Sequence, residues 1–295
     1  MDHRMKLAPF VEDAGVAAAA QQRVFLRLNL LQLGLIVLAA VAAATSWVTE
    51  RPAVDWSGVV AAAFFGVGLL LRIVMMQRKD DDAWYAARNA AEVSKSLCFQ
   101  YAFGATGYER GASAKEVDAR FIDAFGTIGR DVLLARSTVR TNGFSEITDD
   151  MKAMRTLDFD EARKRYFTER IEDQERYYTS RAAFHLRRSR LWLLLMLVAQ
   201  VAGLVFSLMK AVLTTGPWDG IVGILSAFAA AFIAWSQLRQ HGLLSGTFQS
   251  QAVQMRDFGR RLELLEEDEW PEFVASVENA LIAEHTRWLG WQERR

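Results

Sequence analysis

Residues 191–209, LWLLLMLVAQVAGLVFSLM, and residues 221–235, IVGILSAFAAAFIAW, decide the fold. Both runs are free of charged residues, and a short segment holding Gly216 and Pro217 separates them. At 1.5 Å of rise per residue each run is about long enough to cross a ~30 Å hydrocarbon layer as a helix. Upstream, no proline interrupts the helical pattern from Asp158 to Lys210. One helix over that whole stretch would be about 75 Å long, far more than a bilayer requires. The surplus belongs in water, so the expected element is a membrane hairpin on a long helical stalk.

A second pair of runs, 28–48 and 59–76, lies nearer the N-terminus. The first ends in Trp47, a residue type suited to the interface, and Pro52 marks the turn. No cleavage-site pattern follows the first run, which is expected to stay in the membrane as a helix. Leu28 and Leu191 open equivalent runs, and Asp55 with Trp56 corresponds to Asp219 with Trp218. The offset is about 163 residues throughout, the mark of a tandem two-helix module. We place the modules at residues 1–145 and 146–295. The fold class that follows is all-α, with four transmembrane helices in two hairpins and long cytoplasmic helical extensions.

The hairpin helices differ in kind. The run 191–209 holds eleven Leu, Val and Phe residues. At about −0.3 to −0.6 kcal/mol each, their summed insertion preference is on the order of −3 to −7 kcal/mol. The return helices instead carry small residues at steps of four: Gly58, Ala62 and Gly66 in one, Gly223, Ala227 and Ala231 in the other. Such ridges let helix backbones approach closely, within one chain or between copies in a homo-oligomer. Polar residues inside the spans are few. Gln32, Ser207 and Ser226 could line a path, and Arg72, one turn from the end of its run, can anchor at the headgroups or serve a pore.

Between the hairpins, residues 104–111 form a loop, and 116–140 form an amphipathic helix with Val117, Phe121, Phe125 and Ile128 along one side. Asp80, Asp81 and Asp82 suit the start of the helix that precedes the loop, and Asp158 with Glu161 resembles a capping box opening the stalk. Beyond the second hairpin, helical spacing continues from Leu238 to Leu265, and Pro271 opens a closing helix.

Charge is balanced, 35 basic against 35 acidic residues, which gives no reason to expect a nucleic-acid partner. Lys and Arg gather on one side of the four runs, at Arg23, Arg27, Arg78, Arg187, Arg188, Arg190 and Arg239, whereas the tight turns carry only Arg51 and Lys210. The positive-inside rule then puts both termini and the large polar region in the cytoplasm. The single cysteine, Cys98, excludes an internal disulfide, and four scattered histidines make no zinc spacing. No phosphate-binding loop, dinucleotide fingerprint, nucleophile elbow or zinc-protease motif is present. The expectation is a non-enzyme with no cofactor, whose first partner is the lipid bilayer.

Three stretches carry a resemblance. In WYAARNAAEVSKSLCFQYAFGA, residues 84–105, Trp84, Arg88, Glu92, Lys95 and Tyr101 fit the pattern. So do Gln174, Tyr177, Tyr178, Arg181, Ala182 and Trp192 before the second hairpin, and Trp270, Phe273, Glu278, Glu284, His285 and Trp288 in the closing helix. Together they resemble the SMODS and SLOG-associating two-transmembrane effector domains of bacteria, here twice in tandem. The resemblance implies a multi-pass inner-membrane effector of a conflict system that forms pores or disrupts the membrane when a sensor fires. It implies no catalytic residues. The trigger would be a separate nucleotide-signal or ligand sensor protein, or would act directly on the cytoplasmic helices. Alternatives are a non-conducting membrane scaffold that recruits cytoplasmic partners, and a small ion channel or transporter. The absence of intramembrane acids and of proline-broken spans speaks against the transporter.

Overall fold

The computed structural model describes residues 4–46, 48–49, 54–78, 80–134, 146–213 and 218–292, without the side chains of 80–82, 131–134, 218–219 and 284–292. The chain is helical nearly throughout: α1 (Pro9–Ala43), α2 (Trp56–Arg78), α3 (Asp80–Phe103), α4 (Ala114–Leu134), α5 (Asp149–Arg155), α6 (Phe159–Tyr166), α7 (Asp173–Val212), α8 (Trp218–Arg239), α9 (His241–Glu263) and α10 (Trp270–Gln292). A two-residue antiparallel ladder, β1 (Val48–Thr49) with β2 (Val54–Asp55), closes the first hairpin. Four helical stretches are long and apolar enough to span a membrane, and their apolar windows are almost entirely unburied within the chain. Large apolar side chains such as Leu30, Leu70, Leu194 and Leu204 face outward, where lipid would cover them.

Two compact units divide the chain differently from the repeat. The first gathers Met1–Val24, Asp80–Tyr177 and Gln251–Arg295, and the second gathers Phe25–Lys79 and Tyr178–Ser250. Each unit draws on both halves of the sequence. In the polar unit, α3 is the central rod, packed against α10, α4 and α5. One face of α3, with Ala87, Ala90 and Ala91, meets Ala14, Ala17 and Ala18 of α1. Alanines on both sides allow close backbone approach, and Phe10 and Trp84 flank the seam. Ahead of α1, residues 4–6 are fastened by hydrogen bonds from Met5 N to Glu169 Oε2 (2.9 Å), Lys6 N to Asp150 Oδ2 (2.9 Å) and Arg4 Nη2 to Asp173 Oδ1 (2.8 Å).

In the apolar unit, Asp55 begins α2 by accepting from Ser57 N at 3.0 Å, and Ser57 Oγ bonds Thr45 O across the turn at 2.7 Å. Gly220 lies so close to the end of α1 that a β-carbon there would stand 2.8 Å from the carbonyl oxygen of Ala44. No side chain fits at that point.

Several elements differ from the sequence-based expectation. The first span, expected over 28–48, is part of a longer helix, α1, that begins at Pro9, because nothing in residues 9–27 breaks helical geometry. The stalk does begin at Asp158, whose Oδ1 accepts from Glu161 N at 2.8 Å. Its path is not uniformly α-helical, however: Phe167–Glu172 form a π-helical turn between α6 and α7. The helical run after the second hairpin breaks at Gln240, the one non-glycine residue with positive φ among those described (45°). The expected helix end at Thr141 to Gly143 and the turn at 214–217 lie outside the described residues.

Candidate functional site

The π-helical turn builds a buried polar cluster in the polar unit. A π turn holds one more residue per hydrogen-bonded ring than α, which re-aims the side chains on it; such turns recur at functional sites. Here Arg170 points inward and is 1% exposed, while Glu169 and Asp173 bind the N-terminal segment. The turn sits tightly on α9, since a β-carbon on Gly259 would lie 3.2 Å from Phe167 Cε2.

Arg170 meets Glu278 of α10, which is fully buried. Arg170 Nε donates to Glu278 Oε1 at 2.9 Å, and Nη2 donates to Oε2 and to Ser96 Oγ of α3, the latter at 2.9 Å. Tyr166 Oη donates to Glu278 Oε1 at 2.8 Å. The guanidinium also lies over the Phe99 ring, 4.6 Å from its centroid. Its Nη1 has no hydrogen-bond partner among the described residues. Burial works against the charge of Arg170, but the adjacent Glu278 carboxylate, with its hydrogen bonds, overrides that and raises the pKa. Burial, then the charge of Glu278, pushes the Tyr166 phenol far up. Three helices and the π turn are thus clamped by one buried ion pair.

Lys95, one residue from Ser96, is less well provided for. Its pKa is lowered, first by burial and then by Arg170, against the opposing pull of Glu92, Asp173 and Glu278. Cys98, in the same core, is fully buried and its thiol is pushed up to about 12 by burial. It is therefore protonated and inert as a nucleophile.

Of the residues singled out from sequence, Lys95 and Glu278 come together here, and Glu92 lies close enough to act on both Lys95 and Arg170. Glu92 also pairs with Arg88 at 2.9 Å. Tyr101 lies at the far end of α3, donating to Asp118 Oδ1 at 2.6 Å, with Arg155 stacked over its ring. Trp270 Nε1 caps α3 through Phe103 O at 2.7 Å. Trp84 stacks on Tyr85. In the apolar unit Tyr178 stacks on Phe248, and Arg181 is exposed. The side chains of Glu284 and Trp288 lie outside the described residues. Arg170, Tyr166 and Ser96 had no signal in the sequence: the arginine is one of many in a charged stretch, and its partner is 108 residues away.

The membrane-span residues are dispersed. Gly58, Ala62, Gly66 and Gly223 are exposed, and a β-carbon on any of these glycines would meet nothing within 4 Å. Ala227 and Ala231 are half-buried. Contact within the chain uses a neighbouring face of α2, with Ser57, Ala61 and Gly68 buried and Gly68 against Leu35. Ser207 and Ser226 return their hydroxyls to the carbonyls of Gly203 and Val222 on their own helices, at 2.7 and 2.8 Å. Gln32 is half-buried and Arg72 exposed.

The tandem hairpins and the helices around this cluster agree with the comparison with known families. Residues 9–164 match SMODS and SLOG-associating 2TM effector domain 3, and residues 166–288 match SMODS and SLOG-associating 2TM effector domain 1. The chain matches no curated protein and no solved structure. The two matches meet at the start of the π turn and together span nearly the whole chain: the protein belongs to the SMODS and SLOG-associating two-transmembrane effector family and carries two such domains in tandem.

Proposed function

We propose that the protein is a membrane-permeabilising effector of a bacterial conflict system, held closed at rest and opened by a trigger acting on its cytoplasmic helices. It sits in the inner membrane with both termini in the cytoplasm and works as a homo-oligomer. The family supplies the effector role, and four apolar helices supply the membrane. The observation that carries the reading is α7, Asp173–Val212, one uninterrupted helix that starts beside the Arg170 clamp and includes the whole third span. Displacing one end of a rigid helix is felt along its length. The exposed ridge Gly58, Ala62 and Gly66, where a β-carbon on either glycine meets nothing within 4 Å among the described residues, supports close packing between copies. The spans carry no ring of charge, so a pore would be weakly selective or gated by dewetting of an apolar constriction.

The test is ion flux. Protein reconstituted in liposomes should conduct in at least one state, and two glycines inserted beside Arg188 should uncouple conduction from its trigger. Oligomers that stay ion-tight under every condition in which cells are harmed would favour a scaffold that recruits cytoplasmic partners.

A further inference from the structure

On their polar side, the two helices of the second hairpin are joined in close register by α9. Ser245 Oγ bonds Ala182 O at 3.0 Å, a β-carbon on Gly242 would lie 3.5 Å from Ser189 Oγ, and His185 Nδ1 stands 2.8 Å from His241 Nδ1. Both histidines are buried, at 8% and 4% exposure. Just inside them, Trp192 of α7 meets Trp235 of α8 edge to face, with ring centroids 6.1 Å apart. Tryptophans at this point mark the boundary between hydrocarbon and headgroups.

Each tryptophan has an arginine four residues to its polar side, Arg188 on α7 and Arg239 on α8. Four residues of helix rise about 6 Å, so both arginines are rooted at one depth, just outside the tryptophan pair. Arg239 lies over the Trp235 ring at 6.0 Å, and Arg188 over the Phe184 ring at 5.6 Å. Phe184 in turn contacts both His185 and His241, so the two arginines flank the histidine pair. Neither arginine is ion-paired to a carboxylate among the described residues, whereas Arg176 and Arg256, farther out, pair with Glu172 and Glu175. Sequence gives the reason: from 176 to 256 the only acidic residue is Asp219, at the opposite end of the hairpin.

We propose that Arg188 and Arg239, beside the His185–His241 pair, form a binding site for the phosphate of an anionic phospholipid headgroup in the leaflet at the Trp192–Trp235 end of the hairpin. Two arginines rooted just outside the tryptophan pair, with no carboxylate paired to either among the described residues, suit that group, and basic pockets between membrane helices bind such headgroups. The site ties the lipid to the junction of the third and fourth spans. It requires only that these helices cross the membrane, and so stands or falls independently of ion conduction.

The test uses the full chain purified in a neutral detergent. Short-chain phosphatidylglycerol and inorganic phosphate are titrated separately, and binding is followed by the side-chain NMR signals of His185 and His241 and by native mass spectrometry. Phosphatidylglycerol should shift both histidine signals and remain bound, with inorganic phosphate far weaker. Arg188→Gln and Arg239→Gln should each weaken lipid binding about tenfold or more, as for a lost charge-assisted bond. The control is Arg187→Gln, which removes the same charge at nearly the same depth but about 100° around α7 from Arg188. It should cost at most the fewfold expected of any arginine near the surface. Arg239→Lys, which preserves charge and bulk, covers the chance that Arg239→Gln fails to fold, and should still bind more weakly than the native chain. Equal losses in the Arg187, Arg188 and Arg239 variants would mean diffuse attraction and overturn the site. Inorganic phosphate binding as tightly as the lipid would overturn the lipid assignment.

Discussion

Arg170 and Glu278 form an ion pair with both side chains sealed from solvent, and they join the start of the stalk to the middle of the closing helix. A buried pair is weak evidence of net stabilisation, because desolvating two charges offsets most of their attraction. Losing one partner is different, since the other charge is then stranded.

Glu278→Gln or Arg170→Met should therefore destabilise the polar unit by about 3 to 5 kcal/mol. The double change Arg170→Met with Glu278→Leu should recover much of that loss. Thermal unfolding of the detergent-solubilised protein, followed by tryptophan fluorescence, measures both. Single variants that unfold like the native chain would show that the pair is not the clamp described.

Lys95 gives a pH dependence whose sign is fixed. Its folded pKa lies below the unfolded value, first through burial and next through Arg170, so the unfolded chain holds that proton more tightly. Stability from this group is lower at neutral pH and rises as pH climbs through the folded pKa toward the unfolded one. Lys95→Met should remove that alkaline gain and leave neutral-pH stability equal or improved. Unfolding curves from pH 7 to 10 for the two proteins decide it; a variant that loses stability at pH 7 would mean the ammonium is needed by its neighbours.

Much of this architecture is legible in sequence because membrane spans and caps are local signals. Each hairpin is recognisable within its own stretch, 28–76 or 191–235, and Asp158 with Glu161 announces the stalk. Arg170 is invisible because a π turn has no hydrophobic period of its own and the partner of Arg170 is distant in the chain. The partners of the small-residue ridges are hidden for a related reason. A step of four identifies Gly58 and Gly66, yet which face of α2 meets α1 depends on tertiary packing, and that packing uses Ser57, Ala61 and Gly68. Gly220, where backbone approach is closest, belongs to no ridge.

Gly220 and Gly66 should consequently respond in opposite ways. Gly220→Ala sets a β-carbon against the carbonyl of Ala44, and overpacking of this kind costs about 1 to 3 kcal/mol. At Gly66 a β-carbon meets nothing within 4 Å among the described residues, so Gly66→Leu should leave folding unaffected while weakening association between copies. Thermal shift and native gel migration separate the effects. Normal assembly by Gly66→Leu would place that ridge against lipid.

Orientation has a direct check. A reporter fused after Arg295 should read as cytoplasmic, because Arg187, Arg188, Arg190 and Arg239 flank the spans on that side. A periplasmic reading would invert the topology and move the proposed trigger to the outside of the cell.

The stalk offers the sharpest test of how its polar end directs the membrane end. α7 is continuous from Asp173 to Val212, so removing one residue of its polar part, the exposed Thr179, shortens the stalk without breaking it. Each residue of an α-helix turns about 100°, so the deletion rotates everything after it by roughly that angle relative to the start of α7. The third span then enters the membrane with a different face toward α8. If the register of α7 sets the closed arrangement, the deletion variant should insert and remain helical by circular dichroism but leak ions without a trigger, or lose its response to one. Glu278→Gln, which removes the clamp without rotating α7, separates register from stability. Leakage in the deletion alone would assign the effect to register, and equal leakage in both would assign it to lost stability. A deletion variant that behaves like the native protein in liposomes would show that rotation of the stalk does not reach the spans.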